Sequence, residues 1–192
     1  MSKFIIVPIL FVVGPHGSGK TYLCREIERK YKVLYLDCGP ELRKMYDLYN
    51  KEKMSFHEWV EEIYLEKGEK WLVHNVIDLF LAYQDFSGKE LFLISGCRSY
   101  SQIKEILAYL GTSNYEIIYL DNDESKLKLN YEKREGSVSE ETFKKILLYD
   151  NKIGLRSLCS NVLDNKEGWY VWGDDRELIM KNVHYMVRND RI

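Results

Sequence analysis

Gly14-Pro15-His16-Gly17-Ser18-Gly19-Lys20-Thr21 is the stretch that decides how the rest of the chain is read, because it fits G-x-x-x-x-G-K-[ST] in full. Ahead of it Phe4–Val13 reads FIIVPILFVV, nearly continuous apolar and β-branched, as a parallel strand buried on both faces should be. Behind it Leu23, Ile27 and Tyr31 recur at helical spacing across Thr21–Tyr31. A glycine loop between a strand and a helix is the context in which the pattern carries chemistry. Its glycines let the backbone take positive φ and approach phosphate oxygens closely. Successive N–H groups then form an anion-binding nest at the start of a helix whose dipole favours negative charge. All eight residues, Gly14 to Thr21, are therefore candidates for contact with ATP. Lys20 is expected to reach the β- and γ-phosphates and the Thr21 hydroxyl to hold Mg²⁺. His16 could line the nucleotide, and it is read as a variable loop position rather than as a catalytic base.

Working outward, Pro8 removes a ladder donor, so the first strand is expected to begin at Ile9 with an entry or bulge at the proline. Lys32–Leu36 (KVLYL) reads as a second strand ending at Asp37, and the pair with its intervening helix makes a βαβ unit. Glu41–Asn50 and Ser55–Phe86 read as helices, the second opened by a Ser55–Glu58 capping box. Leu91–Ile94 (LFLI) is a third strand and Tyr115–Leu120 (YEIIYL) a fourth, ending at Asp121. Between them Ser101–Leu110 is a helix that Gly111 ends. A polar, charged stretch runs from Asp121 to Gly136, then Glu140–Tyr149 is helical, Trp169–Trp172 is a last short strand and Arg176–Val187 a closing helix. This alternation predicts one domain over residues 1–192, a three-layer α/β/α sandwich with a parallel sheet.

The composition sets bounds on function. The chain has 28 basic and 30 acidic residues and a net charge of −2, so no global field draws it to nucleic acid or an anionic membrane. The apolar share of 45% supplies an ordinary core. Cys24, Cys38, Cys97 and Cys159 have neither metal-ligand spacing nor a dense disulfide framework, which points to reduced thiols. Phe4–Val13 behind Met-Ser-Lys has the look of a signal peptide. It is too short to span a bilayer and no small-x-small cleavage site follows, so a buried strand and a cytoplasmic protein are expected. His57, His74 and His184 have no paired ligand at metal spacing and read as solvated or satisfied. Trp59, Tyr64, Trp71 and Phe80 read as core aromatics, and the acid-rich run Glu58–Glu69 as a solvated face.

With the loop, Asp37, Arg98 and Asp164-Asn165 in place, the chain resembles the nucleoside monophosphate kinase branch of P-loop proteins. Within that branch it is most similar to the dephospho-CoA kinases and the archaeal adenylate-kinase-like proteins. The resemblance implies a nucleotide-kinase type of P-loop NTPase fold, with residues 37–90 covering the phosphate acceptor and residues 121–137 forming a small LID. In Asp37-Cys38-Gly39-Pro40-Glu41-Leu42-Arg43 it makes Asp37 the residue that orients or deprotonates an acceptor hydroxyl and Arg43 a contact to acceptor phosphate or ribose. In Leu93-Ile94-Ser95-Gly96-Cys97-Arg98 it makes Arg98 a bidentate phosphate ligand. Ser95 departs from the family, which has Asp there to hold the water shell of Mg²⁺; Asp37 and Asp121, both at strand ends, are the carboxylates that could substitute. Of the LID cations Lys126, Lys128, Lys133 and Arg134, the resemblance favours Arg134, with Arg156 in the following helix as another phosphate-facing arginine. Asn165, in Ser160–Gly168, is placed beside the adenine.

The function these readings imply is ATP-dependent phosphotransfer to a nucleotide or nucleotide-like small molecule, catalysed by Lys20, Asp37, Arg98 and Arg134 with ATP and Mg²⁺. Two alternatives stay open: a kinase acting on a hydroxyl of modified DNA or RNA, and a catalytically weak ATP-binding sensor or regulator. The sensor draws on Ser95 and on the shortage of arginines in the LID.

Overall fold

Alternate residues of the first strand face opposite sides of a sheet, and neither side meets water. Ile9 to Val13, all fully buried, form β1 (Ile9–Val13) of the computed structural model, which describes residues 7–49, 54–165, 168–173 and 175–189. The other strands are β2 (Val33–Asp37), β3 (Leu91–Ser95), β4 (Tyr115–Asp121) and β5 (Trp169–Trp172). They make one sheet in the order β2-β3-β1-β4-β5, with every neighbouring pair parallel. The helices are α1 (Lys20–Lys30), α2 (Cys38–Tyr49), α3 (Phe56–Leu81), α4 (Tyr100–Leu110), α5 (Glu124–Glu135), α6 (Glu140–Lys152), α7 (Leu155–Asn165) and α8 (Arg176–Asn189).

The two-residue period of the strands sorts the core into two halves. Ile9, Phe11, Leu36, Phe92, Ile94 and Ile117 pack under Ile77 of α3, Ile103 of α4 and Leu158 of α7. Leu10, Val12, Leu93, Ile118 and Val171 pack under Leu23 and Ile27 of α1 and Ile179 and Val183 of α8. Each such side chain contributes roughly 1.5–3 kcal/mol by leaving water. The expected three-layer sandwich is the observed one.

Pro8 stays outside the ladder as a donor, while its carbonyl accepts the Phe92 N–H at 2.9 Å, so the missing proline N–H costs nothing. Phe4 to Ile6, the start of the apolar run, lie outside the described residues. The Ser55 capping box forms as expected, with Ser55 Oγ and the Glu58 carboxylate each accepting the other's backbone N–H. Its helix departs from the continuous one expected, because it kinks at Gly68 (φ 80°) and stops at Leu81. Asp121–Gly136 is not open loop: Asp123 accepts the Lys126 N–H at 2.9 Å and caps α5. In Ser160–Gly168, the segment placed beside the adenine, Ser160 to Asn165 continue α7. Among the described residues no helix is long and apolar enough to cross a membrane.

This topology fixes where a ligand can sit. The chain steps from β1 outward to β2, returns to β3, then crosses to β4 on the other side of β1. At that reversal the carboxyl ends of the strands open a crevice. Gly14, Asp37, Ser95 and Asp121 all stand at those ends.

Candidate active site

Backbone crowding shapes the phosphate loop. Gly14 has φ 142° and Gly17 φ 82°, and a Cβ on either would collide with a carbonyl oxygen, that of Leu120 in β4 or of Leu127 in α5. Only glycine meets both the angle and the approach. Gly19 caps α1 without offering a side-chain oxygen. The first-turn amides of a helix have no partner within it, so those of Lys20 and Thr21 point to an anion beyond the helix end. Two other loop amides are spent internally, Ser18 N–H on the Pro15 carbonyl at 3.2 Å and His16 N–H on Asp150 Oδ2 at 2.9 Å.

Lys20 Nζ lies 2.8 Å from both the Gly14 and Pro15 carbonyls and 3.3 Å from Ser18 Oγ. Burial lowers its pKa to about 7, the Arg98 charge adding to the effect. The loop therefore holds the lysine nitrogen in a ring of neutral oxygens, ready to exchange them for phosphate.

The sequence reading missed Asp150. It looks like an ordinary helix residue 134 positions from His16, yet its side chain is 1% exposed and sits under the loop. Both its oxygens lie 2.9 Å from His16 Nδ1, and Oδ1 lies 3.0 Å from Arg98 Nη1. Burial alone would raise its carboxyl, but the His16 hydrogen bond and the Arg98 charge outweigh it and hold it below the ordinary range. Burial likewise holds the His16 ring below its ordinary value, against the Asp150 hydrogen bond and with the Arg98 charge. The partners assign the neutral tautomer: Nδ1–H donates to Asp150, and Nε2 accepts from Arg98 Nη2 at 3.3 Å. His16 is thus a structural element of the loop rather than a freely variable position. Arg98 also reaches the Gly14 carbonyl at 3.5 Å, while its backbone N–H donates to Gln102 Oε1 at 2.8 Å. Lys20, His16 and Arg98 are brought together as one cluster.

Asp37 stands at the end of β2, two strands from β1. It is in register with Ser95 on the next strand, and the Tyr35 hydroxyl joins the two, 3.0 Å from Ser95 Oγ and 3.4 Å from Asp37 Oδ2. Asp37 Oδ1 accepts the Gly39 N–H at 3.3 Å. Ser95 is buried. Asp121 is engaged elsewhere, accepting the Asn122 N–H at 2.8 Å and the Tyr170 hydroxyl at 3.1 Å. Of the two carboxylates that could replace the missing Asp, Asp37 is the one beside position 95. Mg²⁺ takes one or two protein oxygens and fills the rest of its shell with phosphate and water. The Thr21 hydroxyl, exposed in the first turn of α1, and Asp37 fit that donor set, as the loop fits a triphosphate.

The remaining candidates lie at the rim. The Arg43 guanidinium stacks 4.5 Å over the Phe56 ring, between α2 and α3. Arg134 is half exposed and paired with Glu135 at 2.6 Å, though its charge reaches far enough to help lower Lys20. Lys128 is tied to Glu132 at 2.9 Å and Glu140 at 3.4 Å. Lys126, Lys133 and Arg156 are exposed. The side chain of Asn165, at the end of α7, lies outside the described residues. Glu69, expected on a solvated face, instead accepts Ser99 Oγ–H at 3.1 Å and Ser101 Oγ–H at 2.6 Å, because the Gly68 kink turns it onto the start of α4. Asn130 Nδ2 donates to the Gly17 carbonyl at 3.0 Å, so α5 is docked directly on the phosphate loop.

Known proteins share this fold. A solved shikimate kinase from Acinetobacter baumannii, in complex with shikimate, superposes over 95% of this chain and 94% of its own with a TM-score of 0.51 at 18% identity. A gluconokinase from Sinorhizobium meliloti matches 96% of this chain and 93% of its own, TM-score 0.58, at 11% identity. The fold is that of the P-loop kinases. Thermus thermophilus TT1252 matches 93% of this chain and 97% of its own, TM-score 0.62, at 14% identity. By sequence, a bifunctional pantoate ligase/cytidylate kinase from Prochlorococcus marinus is 29% identical over 90 residues. Those residues are 47% of this chain, and the match spans only 16% of that protein's length. No family model matches the sequence.

Proposed function

We propose that this protein is an ATP-dependent kinase that phosphorylates a small molecule, with nucleotide-like acceptors as the first class to test. One observation carries the reading: a partly buried phosphate loop holding Lys20 stands at the same sheet edge as a carboxylate, Asp37, one strand beyond Ser95. The P-loop kinase fold supports phosphotransfer, and the resemblance to nucleoside monophosphate and dephospho-CoA kinases supports the acceptor class.

The loop amides and Lys20 grip the triphosphate, Lys20 trading its carbonyl partners for phosphate oxygens. Arg98 meets the equatorial oxygens, where charge spreads in the transition state. Asp37 accepts the hydrogen bond of the acceptor hydroxyl and takes its proton as the new O–P bond forms. The bond from the γ-phosphorus to the β–γ bridging oxygen breaks, and ADP leaves with that electron pair. Mg²⁺, when bound, neutralises phosphate charge, and Thr21 and Asp37 would hold it and its waters. Closure of α5 would bring Arg134 to the γ-phosphate and exclude water. The resemblance adds Arg43 as an acceptor contact, a lesser one given its seat on Phe56.

Lys20→Ala is expected to lower transfer from radiolabelled ATP by about 10³-fold or more with the thermal midpoint little changed. Near-normal transfer by that variant overturns the assignment. The sensor reading is favoured by one observation, the buried Ser95 bonded to Tyr35 where the related kinases carry Asp. Tight ATP binding with no transfer to nucleotides, their precursors or oligonucleotides would decide for it.

A further inference from the structure

Asp150 needs an explanation that the kinase reading does not give. Among the described residues it is the one fully buried carboxylate, and it lies under a loop built to receive anions. A buried carboxylate is costly unless well paired, and here it also repels phosphate. Its three interactions all go to parts of the site: the His16 amide, the His16 ring and the Arg98 guanidinium.

Taking the kinase reading as its basis, we propose that Asp150 is a positioning residue that locks the His16 ring and the Arg98 guanidinium so that Arg98 presents one free N–H edge to phosphate. Arg98 has five N–H donors in a planar fork. One Nη1 hydrogen goes to the Gly14 carbonyl at 3.5 Å and one Nη2 hydrogen to His16 Nε2 at 3.3 Å, while Asp150 Oδ1 holds Nη1 as an ion pair at 3.0 Å. The Nε–H and the second Nη2–H make none of these contacts. With His16 on the Nη2 hydrogen nearer Nη1, they lie parallel on one edge, the spacing that two oxygens of a single phosphate accept. His16 can hold Nη2 only while its Nε2 is unprotonated, and the Asp150 carboxylate, as acceptor, keeps the proton on Nδ1. The groups facing the ring are Asp150 from α6, Arg98 after β3, Lys20 from α1 and the edge-on Tyr131 from α5. The same carboxylate ties α6 to loop position 16 while Asn130 of α5 ties position 17. The segment spanning both helices thereby touches the loop at adjacent residues.

Asp150→Asn breaks this arrangement with little change of shape. An asparagine amide can donate to Nδ1, which moves the ring proton to Nε2 and turns a donor toward Arg98, as Asp→Asn does in a Ser-His-Asp triad. ATP binding by titration is expected to stay within about 3-fold of wild type. Turnover with radiolabelled ATP and a nucleoside monophosphate panel is expected to fall about 100-fold, the loss that follows misplacement of a reacting contact. The acid limb of the pH profile, where His16 gains a proton and repels Arg98, should disappear in His16→Gln, whose amide can still bridge Asp150 and Arg98. Should Asp150→Asn fail to fold, His16→Gln carries the test by that limb: its persistence overturns the proposal. An Asp150→Asn variant that loses ATP affinity but keeps its turnover number also overturns it, since Asp150 would then only support the loop. If the wild type transfers phosphate to nothing, the kinase reading fails separately. The ¹⁵N shifts of His16 in the wild type then decide this one: Nδ1–H supports it and Nε2–H overturns it.

Discussion

The phosphate loop and the helix docked on it, α5, are built by opposite rules. In the loop each polar group is held by a partner buried with it and often far away in sequence: Lys20 on three loop oxygens, His16 on Asp150, Arg98 on both. In α5 one residue, Leu127, is buried, and the cations sit on near neighbours, Lys128 on Glu132 and Arg134 on Glu135. An exposed pair such as Arg134–Glu135 is worth about 0–1 kcal/mol, so releasing it costs little. The loop is preorganised, whereas α5 holds its charge on contacts that a triphosphate could outbid. A kinase needs both: a fixed grip on the nucleotide and a cover that closes only around it.

Arg134→Ala tests this contrast most severely. If α5 closes over the phosphates, the variant should lose about 100-fold in turnover while KM for ATP moves by less than about 3-fold, because the arginine acts late. Unchanged turnover would mean that α5 is a fixed wall, and the difference between the two regions would then have no catalytic meaning.

What could be read in the sequence follows the same divide. Gly14–Thr21 was legible because local backbone demands write themselves into consecutive residues, and β1 and β3 because burial on two faces gives short apolar runs. Asp37 reads from the sequence as the end of a strand and ends β2, and Arg98 follows the carboxyl end of β3. Asp150 was not legible: one aspartate near the end of a helix carries no mark of the histidine 134 positions earlier that it will meet. Nor was the helical state of α5, since a helix with one buried residue lacks the apolar stripe that betrays the period. The Gly68 kink hid for a different reason. Spacing survives on both sides of it, so Glu69 looked solvated when it is aimed at Ser99 and Ser101.

Proton uptake sharpens the account of the loop. Lys20, lowered to about 7 by burial, is largely neutral at pH 8, while phosphate oxygens favour its ammonium. ATP binding should therefore take up close to one proton at pH 8 and about a tenth of that at pH 6, measured calorimetrically in buffers of different ionisation enthalpy. The same lowering has a sign for stability. The unfolded chain binds the extra proton between about 7 and the ordinary lysine value, so this group makes stability rise with pH across that window. Uptake that is absent at pH 8 would show the ammonium to be already in place, and uptake that survives in Lys20→Met would show the proton to go elsewhere; either overturns the lowered lysine.

The smallest effect is expected at Arg43, and it bears on whether the acceptor side follows the rule of the loop or of α5. Its guanidinium sits 4.5 Å over Phe56, an exposed cation–π contact worth about 0.5–1 kcal/mol. Arg43→Ala should thus cost a degree or a few of thermal midpoint and leave turnover within about 3-fold, as befits a residue whose main work is to bind α2 to α3. A tenfold rise in KM for a nucleotide acceptor, with KM for ATP unmoved, would instead mean that Arg43 leaves the ring for the substrate. In that event the acceptor side shares the design of α5, holding its charge on a cheap neighbour until the ligand arrives, and Arg98 would be the only arginine of the site fixed in advance.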